Sequence, residues 1–167
     1  MGQMIRSKRT PAGDALTELV LEVFRLNGRL LVAGDRLVAG LGLTSARWQV
    51  LGAIALSDRP QPVAWLARNM GLNRQGVQRV VNDMLADGLV ELAPNPHHRR
   101  AHFVILTERG RDVYDAAGRL QAPWADAHAK GLGVGKIVAT RRIIAELRER
   151  LERLESESKV SVREKNN

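Results

Sequence analysis

The segment from residue 72 to residue 106 constrains this chain more than any other, because it combines a capped amphipathic helix with a basic hairpin. The helix begins after Asn73, a residue type that caps helix N-termini, and ends near Gly88, with apolar positions at helical spacing between them. Two short apolar runs follow, at 89–93 and 102–106, and the loop between them contains Pro-Asn-Pro-His-His-Arg-Arg. A helix beside a basic hairpin is suited to reading a DNA major groove while holding the adjacent backbone.

The flanking sequence predicts more helices around this segment. Apolar residues recur at helical spacing from Asp14 to Leu41, and they occupy more than one face of that helix. Because a helix that is apolar on several sides has to be buried on several sides, we expect part of this surface to meet another subunit. A last helix from Val134 carries apolar residues alternately three and four positions apart, a short coiled-coil-like seam that also needs a partner.

A helix-turn-helix is predicted within residues 61–87. Pro62 suits the start of a short helix at 61–70, since its missing N–H is not needed there. After a turn at Gly71, the second helix runs over residues 74–87. The apolar residues of these two helices that we expect to share a core are Leu66, Met70, Val77, Val81 and Leu85.

Together these patterns predict a mainly α-helical fold with a small β-wing. The expected architecture is a winged helix-turn-helix whose N- and C-terminal helices form a dimerisation domain. The expected divisions are a flexible basic N-terminus at 1–13, a dimerisation helix at 14–43, a winged helix-turn-helix DNA-binding domain at 44–111, C-terminal dimerisation helices at 112–155 and a disordered tail at 156–167.

Charge and composition limit the classes of function. The net charge is +8, and residues 59–111 carry eight basic against four acidic side chains, with further positive charge at both chain ends. This distribution favours a polyanionic partner through counterion release, although a merely basic soluble protein has the same property. The chain has no cysteine, which excludes disulfides and thiolate metal sites, and no apolar run is long enough to span a membrane. We expect a cytoplasmic protein without membrane association, metal or other cofactor.

The predicted recognition helix presents polar residues away from its apolar face, and their chemistry suits base edges. Glutamine pairs bidentately with adenine and arginine with guanine, and the first residues of a recognition helix reach the groove floor. The alternative is an ordinary amphipathic helix with a solvated polar face. The predicted DNA-binding residues of this segment are Arg74, Gln75, Gln78 and Arg79, with Asn73 and the helix N-terminal amides assigned to phosphate.

The hairpin tip adds His98, Arg99 and Arg100 to the predicted DNA-binding residues. Arginine is planar, always charged and favoured in a narrow, electronegative minor groove, so we assign Arg100 to that groove and Arg99 to phosphate. A solvated basic loop is the alternative. The histidines at positions 97, 98 and 102 are not expected to hold a metal ion, because no acidic or thiolate partner is near them in sequence.

Three stretches of the chain resemble the MarR family of winged-helix transcriptional regulators. They are LTSARWQVL, VAWLARNMGLNRQGVQRVVNDMLADGLVEL and NPHHRRAHFVILTERG. The resemblance implies a homodimer that binds a pseudo-palindromic operator in double-stranded DNA, often as a repressor and often released by a small aromatic or phenolic acid. The family usually has an aspartate where this chain has His98, and that aspartate helps to orient the wing arginine. The substitution predicts either a looser wing or a histidine that contacts phosphate itself.

A sequence-specific DNA-binding regulator is therefore the favoured function. An architectural or protein-interaction winged helix with non-specific DNA binding is the alternative. An enzyme is not expected, since the sequence shows neither a nucleophile with its base nor a Gly-rich phosphate loop. We expect any effector pocket where the dimer helices meet the reading module, with Trp48 as the aromatic residue and Arg29 or Arg47 as a carboxylate partner. The alternative places Trp48 in the core and both arginines on the surface.

Overall fold

The computed structural model describes residues 9–98 and 100–165. The elements, in chain order, are α1 (Pro11–Val38), a 3-10 turn (Ala39–Leu41), α2 (Ser45–Ala55), β1 (Gln61–Pro62), α3 (Val63–Asn69), α4 (Arg74–Ala86), β2 (Val90–Ala93), β3 (Phe103–Leu106), α5 (Glu108–Ala129) and α6 (Val134–Lys165). This mainly helical chain with a small antiparallel sheet confirms the predicted fold class. It divides into two compact units, with the boundary between Ala122 and Pro123.

Helix α1 begins earlier than predicted. Thr10 is its N-cap, where the side-chain oxygen accepts a hydrogen bond of 3.1 Å from the Gly13 N–H, and Pro11 occupies the first turn, where its missing N–H costs nothing. The expected flexible N-terminus at 1–13 is therefore helical from Pro11 onward, and residues 1–8 lie outside the described part of the chain. At the other end, Gly42 has a φ of +69°, which stops the helical run as predicted.

A close contact fixes α2 against α1. The Ser45 N–H donates to a carboxylate oxygen of Asp35 at 2.6 Å, and the Ser45 hydroxyl donates to the Leu31 carbonyl at 2.7 Å. Gly34 makes this approach feasible, because a Cβ atom there would overlap the Ser45 hydroxyl oxygen. Thr44 caps α2, with its side chain accepting a hydrogen bond from the Arg47 N–H.

The core of the first unit lies where α2, α3, α4 and the sheet meet. Of the five residues predicted to form the helix-turn-helix core, Leu66, Val77 and Val81 are buried, whereas Met70 and Leu85 are half-buried and pack against the same cluster. The largest fully buried side chains are Leu51, Leu66, Met84, Val38, Val50, Val77, Val81 and Val104.

The sheet has three strands in the order β1-β3-β2, all antiparallel. Strands β2 and β3 confirm the predicted hairpin, with Val90 opposite Leu106 and Ala93 opposite Phe103. The prediction of a helix over 61–70 was wrong at its start, since residues 61 and 62 form β1 instead and pair with β3. A proline is tolerated at this position because β1 is an edge strand of two residues. Helix α3 therefore starts at Val63.

Helix α5 starts in close contact with the beginning of β2. The Thr107 side chain donates to the Gly88 carbonyl at 2.8 Å and accepts from the Gly110 N–H at 3.0 Å, so it caps the helix. Gly110 is buried, and a Cβ atom at this position would overlap the backbone carbonyl oxygen of Leu89. Backbone packs directly on backbone at this junction.

The second unit contains the end of α5 and helix α6. The two helices are separated at residues 130–133, where Gly131 has a φ of +84°. The tail predicted to be disordered from Ser156 is helical to Lys165 instead. The reason lies in composition, because the sequence beyond Gly135 contains no glycine or proline and is rich in glutamate, arginine and lysine, which are good helix formers.

Both terminal helices expose many large apolar side chains. Those of α1 are Leu16, Leu21, Phe24, Leu26, Leu30, Leu31 and Val32, and those of α6 are Val134, Ile137, Val138, Ile143, Ile144, Leu151 and Leu154. Among the described helices, none is by itself both long and apolar enough to cross a membrane, although α1 with its 3-10 turn and α2 pass that test jointly as a pair bent by 82°.

Candidate nucleic-acid interface

The first turns of α4 carry the polar side chains predicted to read DNA. Asn73 is the N-cap, and its side-chain oxygen accepts from the Gln75 N–H at 2.8 Å. Arg74, Gln75 and Arg79 are exposed. The buried residues of the same helix, Val77, Val81 and Met84, fix its opposite side against the core, so the polar side is held outward.

Gln78 differs from its neighbours, because it is half-buried at the margin of the polar side. Its amide nitrogen donates to the side-chain oxygen of Asn82 at 3.0 Å, one turn along the helix. This hydrogen bond holds the Gln78 side chain along the helix surface and leaves the amide oxygen of Gln78 available for a partner. Bidentate reading of adenine would require the nitrogen to leave Asn82 or to be shared with it.

Gly76 lies in the first turn of α4, between Gln75 and Val77, and it is exposed. A Cβ atom there would meet nothing within 4 Å in this chain, and its φ is not positive, so no contact inside the chain requires a glycine. A missing side chain at this position lets an external molecule approach the helix backbone closely.

The wing tip places His98 and Arg100 in solvent, while Arg99 lies outside the described residues. Among the described side chains, no carboxylate lies within ion-pair distance of Arg100. The loop is nevertheless hydrogen-bonded internally, chiefly through Asn95, whose side chain contacts the backbone at His97 and Ala101. Sequence reasoning missed Asn95, although asparagine between two prolines is a recognisable signal for a side-chain-supported turn.

The residues predicted to bind an effector lie in three different settings. Trp48 is half-buried against the core cluster, and Arg29 is exposed on α1. Arg47 forms an ion pair of 2.7 Å with Asp87 and also donates to the Gly42 carbonyl at 3.4 Å. Asp87 is the C-cap of α4, where a negative charge is unfavourable against the helix dipole, and Arg47 offsets that cost.

A shallow cavity of about 530 Å³ lies elsewhere, between α2 and α3. Neither Trp48 nor the two candidate arginines line it, whereas Trp65 does. Its lining residues are Gln49, Gly52, Ala53, Leu56, Ser57, Asp58, Trp65, Asn69 and Met70. Across the described part of the chain, no three histidine, aspartate or glutamate side chains are grouped as metal ligands would be.

Comparison with known sequences points to one family. A model of the MarR family matches residues 41–101, the segment from the end of the 3-10 turn through the wing tip. An uncharacterised protein of Mycobacterium tuberculosis is 47% identical over 103 residues, which cover 62% of this chain and 71% of that protein. The transcriptional activatory protein BadR of Rhodopseudomonas palustris is 34% identical, over 62% of this chain and 63% of its own length.

Solved structures show the same fold. The transcriptional regulator MosR of Mycobacterium tuberculosis, solved in complex with DNA, is 28% identical with a TM-score of 0.67, covering 80% of this chain and 95% of that one. CouR from Rhodococcus jostii RHA1, solved with p-coumaroyl-CoA, has a TM-score of 0.69 at 22% identity, covering 77% of this chain and 90% of its own. These are the family and fold of transcription regulators, which are not enzymes. The chain belongs to the MarR family and is a DNA-binding transcriptional regulator with a winged helix-turn-helix.

Proposed function

We propose that two copies of this chain bind a pseudo-palindromic operator, each placing α4 in the major groove and its wing beside the adjacent minor groove. The observation that carries this proposal is the polar first half of α4, held outward by a buried opposite side. Beside it lies a wing whose Arg100 has no carboxylate partner among the described side chains. In this arrangement Arg74, Gln75, Gln78 and Arg79 face bases or nearby backbone, and Asn73 with the helix N-terminus faces phosphate. His98, Arg99 and Arg100 serve the wing contact. Because its target is DNA, we place the protein in the cytoplasm.

The terminal helices supply the second half of the proposal. Among the side chains that the structure describes, seven large apolar ones of α1 and seven of α6 are exposed, and exposed apolar side chains in such number are typical of residues that an oligomer interface covers. We therefore retain 14–43 and 112–155 as dimerisation segments and 44–111 as the reading domain. An isologous dimer presents two identical reading helices, which accounts for an operator with two-fold symmetry. Selection of bound sequences from a random DNA pool at physiological salt tests this, with a palindromic consensus as the expected result.

Gln78→Ala is expected to weaken binding to the selected operator by about 1–3 kcal/mol, with a much smaller effect on random DNA. The reason is that an amide lost at a base edge removes discrimination, while the charge that holds the phosphates is unchanged. Binding would be measured by competition at fixed salt. Gln121→Ala removes an exposed glutamine of α5 and is the matched control. A loss that is equal on all sequences would make Gln78 a backbone contact instead.

Repression is the proposed direction of regulation, and activation is its alternative. The family resemblance favours repression, whereas BadR is named as an activatory protein. A transcription assay with the operator placed between promoter and reporter distinguishes the two. An architectural or protein-interaction module is the second candidate function, and it predicts weak binding without sequence preference.

We further propose that a small aromatic acid releases the protein from DNA, with Trp48, Arg29 and Arg47 as its binding residues. Support comes from CouR, which binds the coenzyme A thioester of an aromatic acid. In this chain Arg47 is already paired with Asp87 at the end of α4. A ligand carboxylate that bound Arg47 would therefore displace Asp87 and loosen the recognition helix.

Saturating salicylate or benzoate is expected to lower operator affinity by about 5–150-fold and to change tryptophan fluorescence. Arg47→Gln should abolish the response, because it removes the charged partner of the carboxylate. Arg36→Gln, at an exposed arginine of α1, is the control that should respond like the wild-type protein. An unchanged response in Arg47→Gln would exclude Arg47 from the effector site.

A further inference from the structure

The wing loop is too long to be ordered by its strands alone. Ala93 pairs with Phe103 at the end of the hairpin, which leaves residues 94–102 as the connection. The favoured hairpin loops contain only two to five residues, so the tip needs internal hydrogen bonds to adopt one conformation. A disordered tip would have to lose its conformational entropy each time it bound DNA.

Asn95 supplies most of those hydrogen bonds. Its side-chain nitrogen donates to the Ala101 carbonyl at 2.8 Å, across the loop, and its side-chain oxygen accepts from the His97 N–H at 3.0 Å. Its backbone carbonyl also accepts from the His98 N–H at 3.2 Å. Asn95 is half-buried although both proline neighbours are exposed, which is consistent with a side chain directed into the loop.

These bonds divide the tip into two successive turns. The first runs from Asn95 to His98, and the second from His98 to Ala101, where the Ala101 N–H donates to the His98 carbonyl at 3.0 Å. The Asn95 side chain joins the start of the first turn to the end of the second. Arg100 is the third residue of the second turn, directly before the carbonyl group that Asn95 holds.

The backbone of the second turn therefore sets the direction in which the Arg100 side chain projects from the loop, and an ion pair does not. Within the described residues its guanidinium has no carboxylate partner, and His98 cannot act as one. The order that an aspartate provides in the family this chain resembles comes here from an uncharged side chain, and the wing is not looser for want of the aspartate. An uncharged residue has an advantage at this place, because a carboxylate would repel the approaching phosphates.

We infer that Asn95 is a positioning residue for the wing, which pre-orders residues 95–98 and 100–101 so that Arg100 meets DNA without further folding. This inference rests on the proposed function, since it takes Arg100 to contact the operator. Asn95 itself needs no contact with DNA. It acts through the fixed second turn, and its effect is expected to disappear when Arg100 is absent.

A double-mutant cycle tests this dependence. Asn95→Ala should weaken operator binding about 5–10-fold, because the loop would then be disordered in the free protein and would lose conformational entropy on binding. In a protein that already carries Arg100→Ala, the loss of binding free energy caused by Asn95→Ala should be less than about a third of its value in the wild-type protein. The reason is that the side chain positioned by Asn95 is then missing. With Gln78→Ala, on a separate element, the effects should add. Additivity with Arg100→Ala would overturn the positioning role.

Amide hydrogen exchange in the free protein gives a readout that a general loss of stability would not mimic. Asn95→Ala should accelerate exchange at His97, His98 and Ala101 while leaving exchange in α4 unchanged. Asn95→Ser keeps an acceptor for the His97 N–H but is too short to reach Ala101, so only the Ala101 side of the loop should be deprotected. Unchanged exchange in both variants would overturn the inference. If wild-type protein showed no operator preference at all, the proposed function would fail, whereas an additive cycle on a bound operator removes only the role of Asn95.

Discussion

Replacing Phe24 with glutamate is expected to lower operator affinity by about 10²–10⁴-fold while leaving the monomer folded. Phe24 is 68% exposed on α1, so its side chain contributes little to the fold of a single chain. In the proposed dimer, however, a carboxylate at this apolar surface would have to be buried without a partner. The protein would become monomeric, and each half of the operator would be bound separately, without the high effective concentration that a linked second copy provides.

Sedimentation and operator titration should be performed on the same samples. Leu56→Glu introduces the same charge at an apolar position that is 80% exposed and lies outside both proposed dimerisation segments, so this variant should remain dimeric with nearly unchanged affinity. A wild-type protein that is monomeric at working concentration would contradict the dimer proposal. A monomeric Phe24→Glu that still bound the full operator with wild-type affinity would contradict the bivalent reading of DNA.

Gly110→Ala is expected to cost about 3 kcal/mol of folding free energy, at the upper end for overpacking. The added Cβ would overlap the Leu89 carbonyl oxygen, which belongs to the backbone and is already used as an acceptor by the Thr107 N–H. Relief therefore requires the start of α5 to move away from β2. For a chain of this size we expect the melting temperature to fall by about 10 °C.

Gly118→Ala is the matched control, because it lies two turns further along the same helix. A Cβ there meets nothing within 4 Å, so the alanine should stabilise the protein by up to about 1 kcal/mol through its helix propensity. Urea titration of both variants gives the two free energies of unfolding. Equal stabilities for the two alanine variants would show that the α5–β2 junction accommodates a side chain.

Much of the fold could be predicted because its signals are local. The caps at Thr44, Asn73 and Thr107 each require only a side chain and an amide two or three residues away, and all three are present. Apolar periodicity identified the helices and the buried side of α4. Strand β1 could not be found in this way, since its two residues are a strand only through their pairing with β3, about forty residues later.

In the candidate site, too, the features with local sequence signals could be predicted, whereas those that depend on distant residues could not. Which residues of α4 face solvent follows from helical periodicity, and the exposed state of Arg74, Gln75 and Arg79 is confirmed. The ion pair between Arg47 and Asp87 joins residues that are distant in sequence, so no local sequence pattern predicted it. An acidic residue at the C-terminal end of a helix was nevertheless a usable sign, because such a charge needs a cationic neighbour.

That ion pair has a mechanical consequence for DNA reading. It ties the last turn of α4 to the start of α2, whereas Asn73, at the opposite end of the thirteen-residue helix, caps the turn that carries the proposed reading residues. A helix of this length measures about 20 Å, so pivoting it by roughly 10° about the tied end would shift its tip by about 3.4 Å. That displacement equals about one base-pair step along the duplex. In the proposed dimer, this ion pair would therefore support the position of α4 along the DNA together with the buried Val77, Val81 and Met84, and its loss would affect both half-sites.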